Sequence, residues 1–264
     1  NRQICPQLNL SDDVRYPVLG ALYHPPGAIA RHDAVAWGYA RGATMRGTEL
    51  HQKTEVTGIV RSNGKAVGVE TTRGTVKAGK IIQCVAGRSS QVAKMAGFKL
   101  PIKTVPLQAC VSQPLKPFLD SIIVSGSLHV YISQSSRGEL VMGGSTDPYG
   151  VYQNRSTLEF KEGLMAHMLE LLPFLGEVKI LRQWAGMADM TPDFSPVMGE
   201  TPVDNYYIDA GWGTWGFKAT PVCGKRNAEM LATGAVPDVL EPFRLSRFEE
   251  FHQVGEKGAA SVGH

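Results

Sequence analysis

The run from Tyr206 to Pro221 reads Tyr-Tyr-Ile-Asp-Ala-Gly-Trp-Gly-Thr-Trp-Gly-Phe-Lys-Ala-Thr-Pro, and no other stretch limits the fold as much. An apolar segment predicts a strand, Gly211, Gly213 and Gly216 predict a tight turn, and the residues to Thr233-Gly234 predict a helix with Lys218 at its mouth. Glycines let backbone amides approach a ligand closely, and a helix start offers unpaired N–H groups to it. The same joint also serves simply to pack a strand on a helix, so both readings stand on these residues alone.

The 264 residues are 43% hydrophobic and 19% charged, which suits a globular protein with a sizeable core and room for two lobes. A formal charge of +3, spread over scattered Lys and Arg, points neither to a nucleic-acid partner nor to a polybasic membrane patch. It suits an anionic cofactor. Cys5, Cys84, Cys110 and Cys223 lie far apart without C-x-x-C spacing, so the expectation is four reduced, mostly buried thiols in a cytoplasmic protein, with no metal site. No apolar run has membrane-spanning length. The opening Asn1-Arg2-Gln3-Ile4-Cys5-Pro6 has no signal-peptide pattern and no initiator methionine, and is read as beginning within a longer protein.

Residues 1–30 are expected to be loop with one short strand near Val18–Tyr23. A helix should start near His32-Asp33 and end by Gly47. A small β-meander follows: Thr54–Val60, a turn at Ser62–Lys65, Ala66–Thr71, a turn at Arg73-Gly74, then Val76–Ala78. Lys80–Gly87 reads as a buried parallel strand leading to a ligand loop. From about Pro101 the texture is β-rich, with segments at 105–111, 129–133, 139–142 and 178–187. Between the last two lies a helix over 157–172 whose apolar stripe is read as Leu158, Met165, Met168-Leu169 and Leu172. An antiparallel sheet with a covering helix is the expected architecture.

Three segments carry a resemblance: Gly27–Trp37, Leu181–Gly186 with Asp193–Val197, and Gly211–Pro221. On these the chain resembles the β subunits of heterotetrameric sarcosine oxidases, within the wider family of FAD-dependent amine and D-amino-acid oxidases. The likeness runs from Asp12 to His264. It implies an α/β plus α+β fold, in which an FAD-binding Rossmann-like domain, incomplete at its N-terminus, holds an inserted, mainly antiparallel β substrate domain. On that reading residues 1–100 are the remaining FAD-binding part with an FMN-attachment helix, 101–204 the substrate domain, 205–236 the return to the FAD-binding domain, and 237–264 a tail. Members of this kind begin with a strand and a glycine-rich FAD-pyrophosphate loop, a motif this sequence lacks, so an absent amino-terminal third is expected.

The resemblance also assigns residues. FAD is implied as a non-covalent cofactor and FMN as a covalent one joined to His32, with Arg31 favouring the reduced, anionic flavin. By residue type alone, His32-Asp33 is an ordinary helix start; a second histidine common in relatives is Ala34 here. Lys218 becomes the catalytic candidate, its ammonium pairing with a substrate carboxylate. Without the resemblance it is a solvated lysine at the unfavourable end of a helix. Gly213, Thr214, Gly216 and Phe217 are expected to offer amides to the flavin's pyrimidine edge. Trp215 stands where relatives commonly have glycine, which leaves the substrate open. Val56 matches a backbone contact to the FAD adenine and is otherwise a core valine. Gly87 matches the approach to the pyrophosphate, with Arg88 replacing a frequent histidine. Arg182 and Trp184 either line the substrate side of the sheet or pack on each other.

The implied function is oxidative demethylation of sarcosine: hydride transfer to FAD, electrons to FMN, and reduction of O2 to H2O2. The implied partners are α, γ and δ subunits, with tetrahydrofolate acting through the α subunit. Two other readings stay open: an FAD-dependent dehydrogenase for another secondary amine or amino acid, and a non-catalytic flavin-holding or assembly module.

Overall fold

The computed structural model describes residues 3–144 and 146–255. The Gly-Ala-Ala-Ser-Val-Gly-His ending lies outside the described residues. The described chain falls into two compact units, residues 3–27 with Thr104–Ala188, and Ala28–Lys103 with Asp189–Gly255. Residues 189–204 thus group with the strand that follows them, and the first 27 residues with the β-rich segment.

The first unit is built on a five-stranded sheet in the order β6 (Ile123–Ser125), β7 (Val130–Gln134), β8 (Glu139–Gly144), β5 (Lys103–Pro114), β9 (Ile180–Met190). The pairings β6–β7, β7–β8 and β8–β5 are antiparallel, as the alternating sequence predicts. Helix α3 (Leu158–Leu171) starts at Thr157, whose hydroxyl accepts the Phe160 N–H at 3.3 Å. Its buried stripe is Leu164, Met168 and Leu171, which joins Val130, Ile132, Leu140 and Met142 in one core. Each such side chain contributes about 1.5–3 kcal/mol when fully buried. Of the expected stripe, Met168 and Leu172 are buried and Met165 packs against the same core, while Leu158 and Leu169 are 57% and 41% exposed. Two glutamines fasten the loops around the sheet. Gln108 donates to Asp147 and accepts the Thr157 N–H, while Gln134 accepts from Phe118 and Leu119 and donates to Gly138 O.

The expected strand at 18–23 does not form. Leu19 and Leu22 are almost fully exposed, since Pro17 on one side and Pro25-Pro26 on the other isolate a segment too short to find a pairing partner.

In the second unit, helix α1 (His32–Thr44) precedes the meander of β1 (Val56–Ser62), β2 (Lys65–Thr71) and β3 (Gly74–Lys77), paired in that order. The β1–β2 turn uses Asn63 and Gly64 at φ 50° and 82°, the left-handed pair that a two-residue hairpin requires. A second sheet has the order β10 (Val197–Glu200), β11 (Tyr206–Ala210), β4 (Ile81–Gln83), with β10 antiparallel and β4 parallel to β11. The strand expected over Lys80–Gly87 is therefore shorter. It gives way at Ala86, with φ 42°, to a 3-10 turn over Ala86–Arg88 and then helix α2 (Ser89–Ala96). Helix α4 (Gly216–Thr233) follows β11 and closes at Gly234, φ 77°, whose N–H reaches Met230 O.

Within the expected tail, Arg247 is 1% exposed. Its Nε and one Nη bind both oxygens of Asp193 at 2.9 and 3.0 Å, that Nη also reaches Ser195 O, and the guanidinium lies 4.1 Å from the Phe248 ring centroid. Val254 N–H adds a bond to the same carboxylate. Burial works to raise the Asp193 carboxyl, and the Arg247 guanidinium with the Val254 and Ser195 N–H groups outweighs it, holding Asp193 below the ordinary aspartate range. Removing either partner strands a buried charge, so Asp193→Ala should lower folding stability by about 3–5 kcal/mol, read as a shift in the urea midpoint. Because the folded pKa is depressed, this carboxylate's contribution is present above the ordinary aspartate pKa of about 4 and is lost as pH falls through its lower folded value. An unchanged acid limb in the variant would contradict that assignment.

Candidate functional site

Strands β4 and β11 run parallel in register, Gln83 beside Ile208, so both carboxyl ends open at the same edge of the sheet. In open α/β sheets that edge is where ligands bind. The 3-10 turn with buried Gly87 leaves β4 there, and the glycine turn 211–216 leaves β11 beside it. Tyr206 O–H donates to Gln83 Oε1 at 2.6 Å, and Gln83 Nε2 donates to Ser89 O, tying β11 through β4 to the start of α2.

The glycine turn is shaped by two carboxylates, one buried and one half-buried. Asp189, 3% exposed near the end of β9, accepts the Gly211 N–H at 2.6 Å on one oxygen and the Gly213 N–H at 3.2 Å on the other. Asp209, on β11, accepts Trp212 Nε1 at 2.5 Å and Asn227 Nδ2 at 2.6 Å. Burial pushes both carboxyls above the ordinary aspartate range against these donors, and the Asp209 charge adds to the rise at Asp189. Gly211 has φ 76°, and a Cβ there would stand 2.6 Å from Thr191 Cγ2, so both conformation and space require glycine. At Gly213, with φ 54°, a Cβ would stand 2.8 Å from Met190 Sδ.

One expected amide is already bonded within the chain. The Gly213 N–H meets the Asp189 carboxylate at 3.2 Å and the Asp189 backbone carbonyl at 3.1 Å. Helix α4 starts at Gly216 with no side-chain cap. Helix geometry leaves the N–H groups of Gly216, Phe217 and Lys218 without intrahelical acceptors. Thr214 and Phe217 are exposed at this mouth. The Lys218 ammonium lies 5.1 Å from the Trp215 ring centroid.

The remaining expected residues sit elsewhere in the second unit. Arg31 and His32 begin α1, a helix with no buried residue. His32 is exposed, and Arg31 lies 3.8 Å from Asp33. Val56, half-buried, opens β1 opposite Thr71. In the first unit, Arg182 and Trp184 are both exposed on one face of β9. The four cysteines are free, with Cys84 exposed and the others buried. Among the described residues no cluster of metal-ligating side chains occurs, and no helix is long and apolar enough to cross a membrane.

Residues 2–230 match the family of FAD dependent oxidoreductases. The chain belongs to this family. It is 44% identical over 263 residues to the sarcosine oxidase subunit beta of an Arthrobacter species and 47% identical to that of Rhodobacter capsulatus, covering 100% of this chain in both cases and 65% and 63% of those proteins. The chain thus spans somewhat under two thirds of these relatives' length. Among solved structures, L-proline dehydrogenase from P. horikoshii superposes over 96% of this chain and 68% of its own, with a TM-score of 0.85 and 27% identity. A glycine oxidase from Geobacillus kaustophilus, at a TM-score of 0.73 and 23% identity, shares the fold.

The site fits the family's cofactor. Uncapped amides at the start of an 18-residue helix, beside a turn that admits no side chain at Gly211, suit the electron-rich edge of a flavin ring. Asp189, Asp209 and Asn227 were not singled out from the sequence, although a carboxylate inside each of two apolar strands was the available signal. Replacing Asp189 by Asn sets an amide donor against one of the two glycine N–H groups. Asp189→Asn should therefore cost about 1–3 kcal/mol and speed amide hydrogen exchange at Gly211 and Gly213. Parent-like exchange at both glycines would show that the carboxylate does not shape the turn.

Proposed function

We propose that this chain is the greater part of a sarcosine oxidase-type β subunit, acting in oxidative demethylation of sarcosine. The observation that carries this is the open first turn of α4 with Lys218 in it, in a chain 44–47% identical throughout to sarcosine oxidase β subunits. Here the segments 28–103 and 189–255 belong to an FAD-binding Rossmann-like domain, and the five-stranded sheet to a substrate domain. When bound, FAD supplies the two-electron acceptor for the amine carbon, and FMN the route onward to O2.

The chain's own residues bind and orient. The Gly216 and Phe217 amides would hold an electron-rich edge of the flavin ring, at no reorganisation cost because the Asp189 brace has already set the turn. Lys218 pairs with the carboxylate of the amino acid and presents its N-methyl group in one orientation. Gly87, at the end of the neighbouring parallel strand, and Val56 extend the FAD site. His32 is the FMN attachment point. Its exposure on a helix with no buried face supports that role, with Arg31 alongside as the cation. The reading carries α, γ and δ partner subunits, tetrahydrofolate at the α subunit, and a cytoplasmic setting.

The flavin-loaded complex should oxidise sarcosine faster than dimethylglycine, proline or D-amino acids in steady-state assays. The likeness to L-proline dehydrogenase, together with the bulky Trp215 at the site, favours a second reading, an oxidoreductase for another secondary amine. A higher rate on proline and none on sarcosine would select it. His32→Ala should abolish flavin fluorescence that survives acid precipitation of the assembled complex while leaving sarcosine-dependent FAD reduction in place. Retained covalent flavin would move the attachment to another residue.

A further inference from the structure

Two placements at the mouth of α4 are locally unfavourable. Trp215 occupies the N-cap, where Ser, Thr, Asp or Asn would satisfy a first-turn amide, and it makes no cap bond. Its φ of −104° and ψ of −12° suit any L-residue, so the backbone is indifferent to the indole. Lys218, three residues on, puts a cation at the positive end of the helix dipole. The two side chains meet, with Nζ 5.1 Å from the ring centroid. Among the described residues Lys218 makes no ion pair, in contrast to Lys225, Arg226 and Arg244, each of which has a glutamate partner. An aspartate or glutamate in place of Trp215 would hold the ammonium more firmly, but would neutralise it toward an incoming carboxylate. A ring face holds the cation while leaving its charge and its N–H donors available.

We propose that Trp215 is a positioning residue that holds the Lys218 ammonium ready for the carboxylate of an amino-acid substrate and so sets specificity for amines that carry a carboxylate. The inference rests on the reading of Lys218 given above and adds the residue that aims it. Without the indole the lysine samples its full set of rotamers, and binding must order it afresh, a cost that falls on substrate capture.

Three variants of the flavin-loaded protein, Trp215→Ala, Trp215→Phe and Lys218→Met, should be compared on sarcosine and on sarcosinamide, which lacks the carboxylate. Trp215→Ala should raise KM for sarcosine about two- to fivefold, the effect of an exposed cation–π contact. It should leave kcat and the sarcosinamide KM close to the parent, and Trp215→Phe should recover part of the loss. A second readout needs no flavin: in the chain with labelled lysine, the Lys218 side-chain signals, identified by their loss in Lys218→Met, should lose their ring-current shift in Trp215→Ala and keep part of it in Trp215→Phe. The two failures differ. A parent-like sarcosine KM in Lys218→Met overturns the carboxylate reading, and this inference falls with it. An impaired Lys218→Met beside a parent-like Trp215→Ala, or Lys218 signals that do not move in Trp215→Ala, overturns the role of Trp215 alone.

Discussion

The site depends on a buried carboxylate holding a turn with no side chains of its own. Asp189 gives its two oxygens to the Gly211 and Gly213 amides, and those bonds oppose, without cancelling, the desolvation that raises its pKa. A glycine-rich turn is the costliest backbone to order, and without a fixed partner it would sample many conformations. Here the partner comes from β9, more than twenty positions earlier in the chain, and it holds the turn in the conformation from which α4 leaves. Asp209 adds a second hold on this joint, gripping Trp212 and, through Asn227, the fourth turn of the helix.

The structure therefore separates two kinds of amide within six residues. Gly211 and Gly213 point inward and are consumed in building the turn, while the first-turn amides of α4 are left open. A uniform anion-binding loop would leave all of them outward. The open amides thus sit on a helix end, a more rigid support than a loop. A second polar anchor, Asp193 with Arg247, lies just beyond β9 and secures the segment that leads into β10. Both anchors are buried charges whose bonds must all be made, so the region between them has few alternative conformations.

Much of the scaffold was legible because it is local. The hairpin at Asn63-Gly64, the end of α4 at Gly234 and the parallel strand before Gly87 follow from turn chemistry and apolar runs that act over a few residues. The face of α3 was legible only in part. Leu164 and Leu171 are buried and Leu158 and Leu169 are not, a difference the periodic pattern leaves open when apolar residues lie on two adjacent stripes. Val18–Tyr23 has strand composition but no neighbour to pair with, and a strand is defined by its partner.

For the site, the sequence by itself determined the strand, the glycines, the helix and the lysine at its mouth, since each rests on residue type and short spacing. Tertiary structure decided which amides remain open, because Asp189 reaches the turn only once the segment from 189 onward has packed within the second unit. It also brought Arg247 back to Asp193 from 54 residues away. Whether a buried carboxylate is a penalty or a brace depends on the donors that packing brings to it, and that information is not carried by neighbours in the chain.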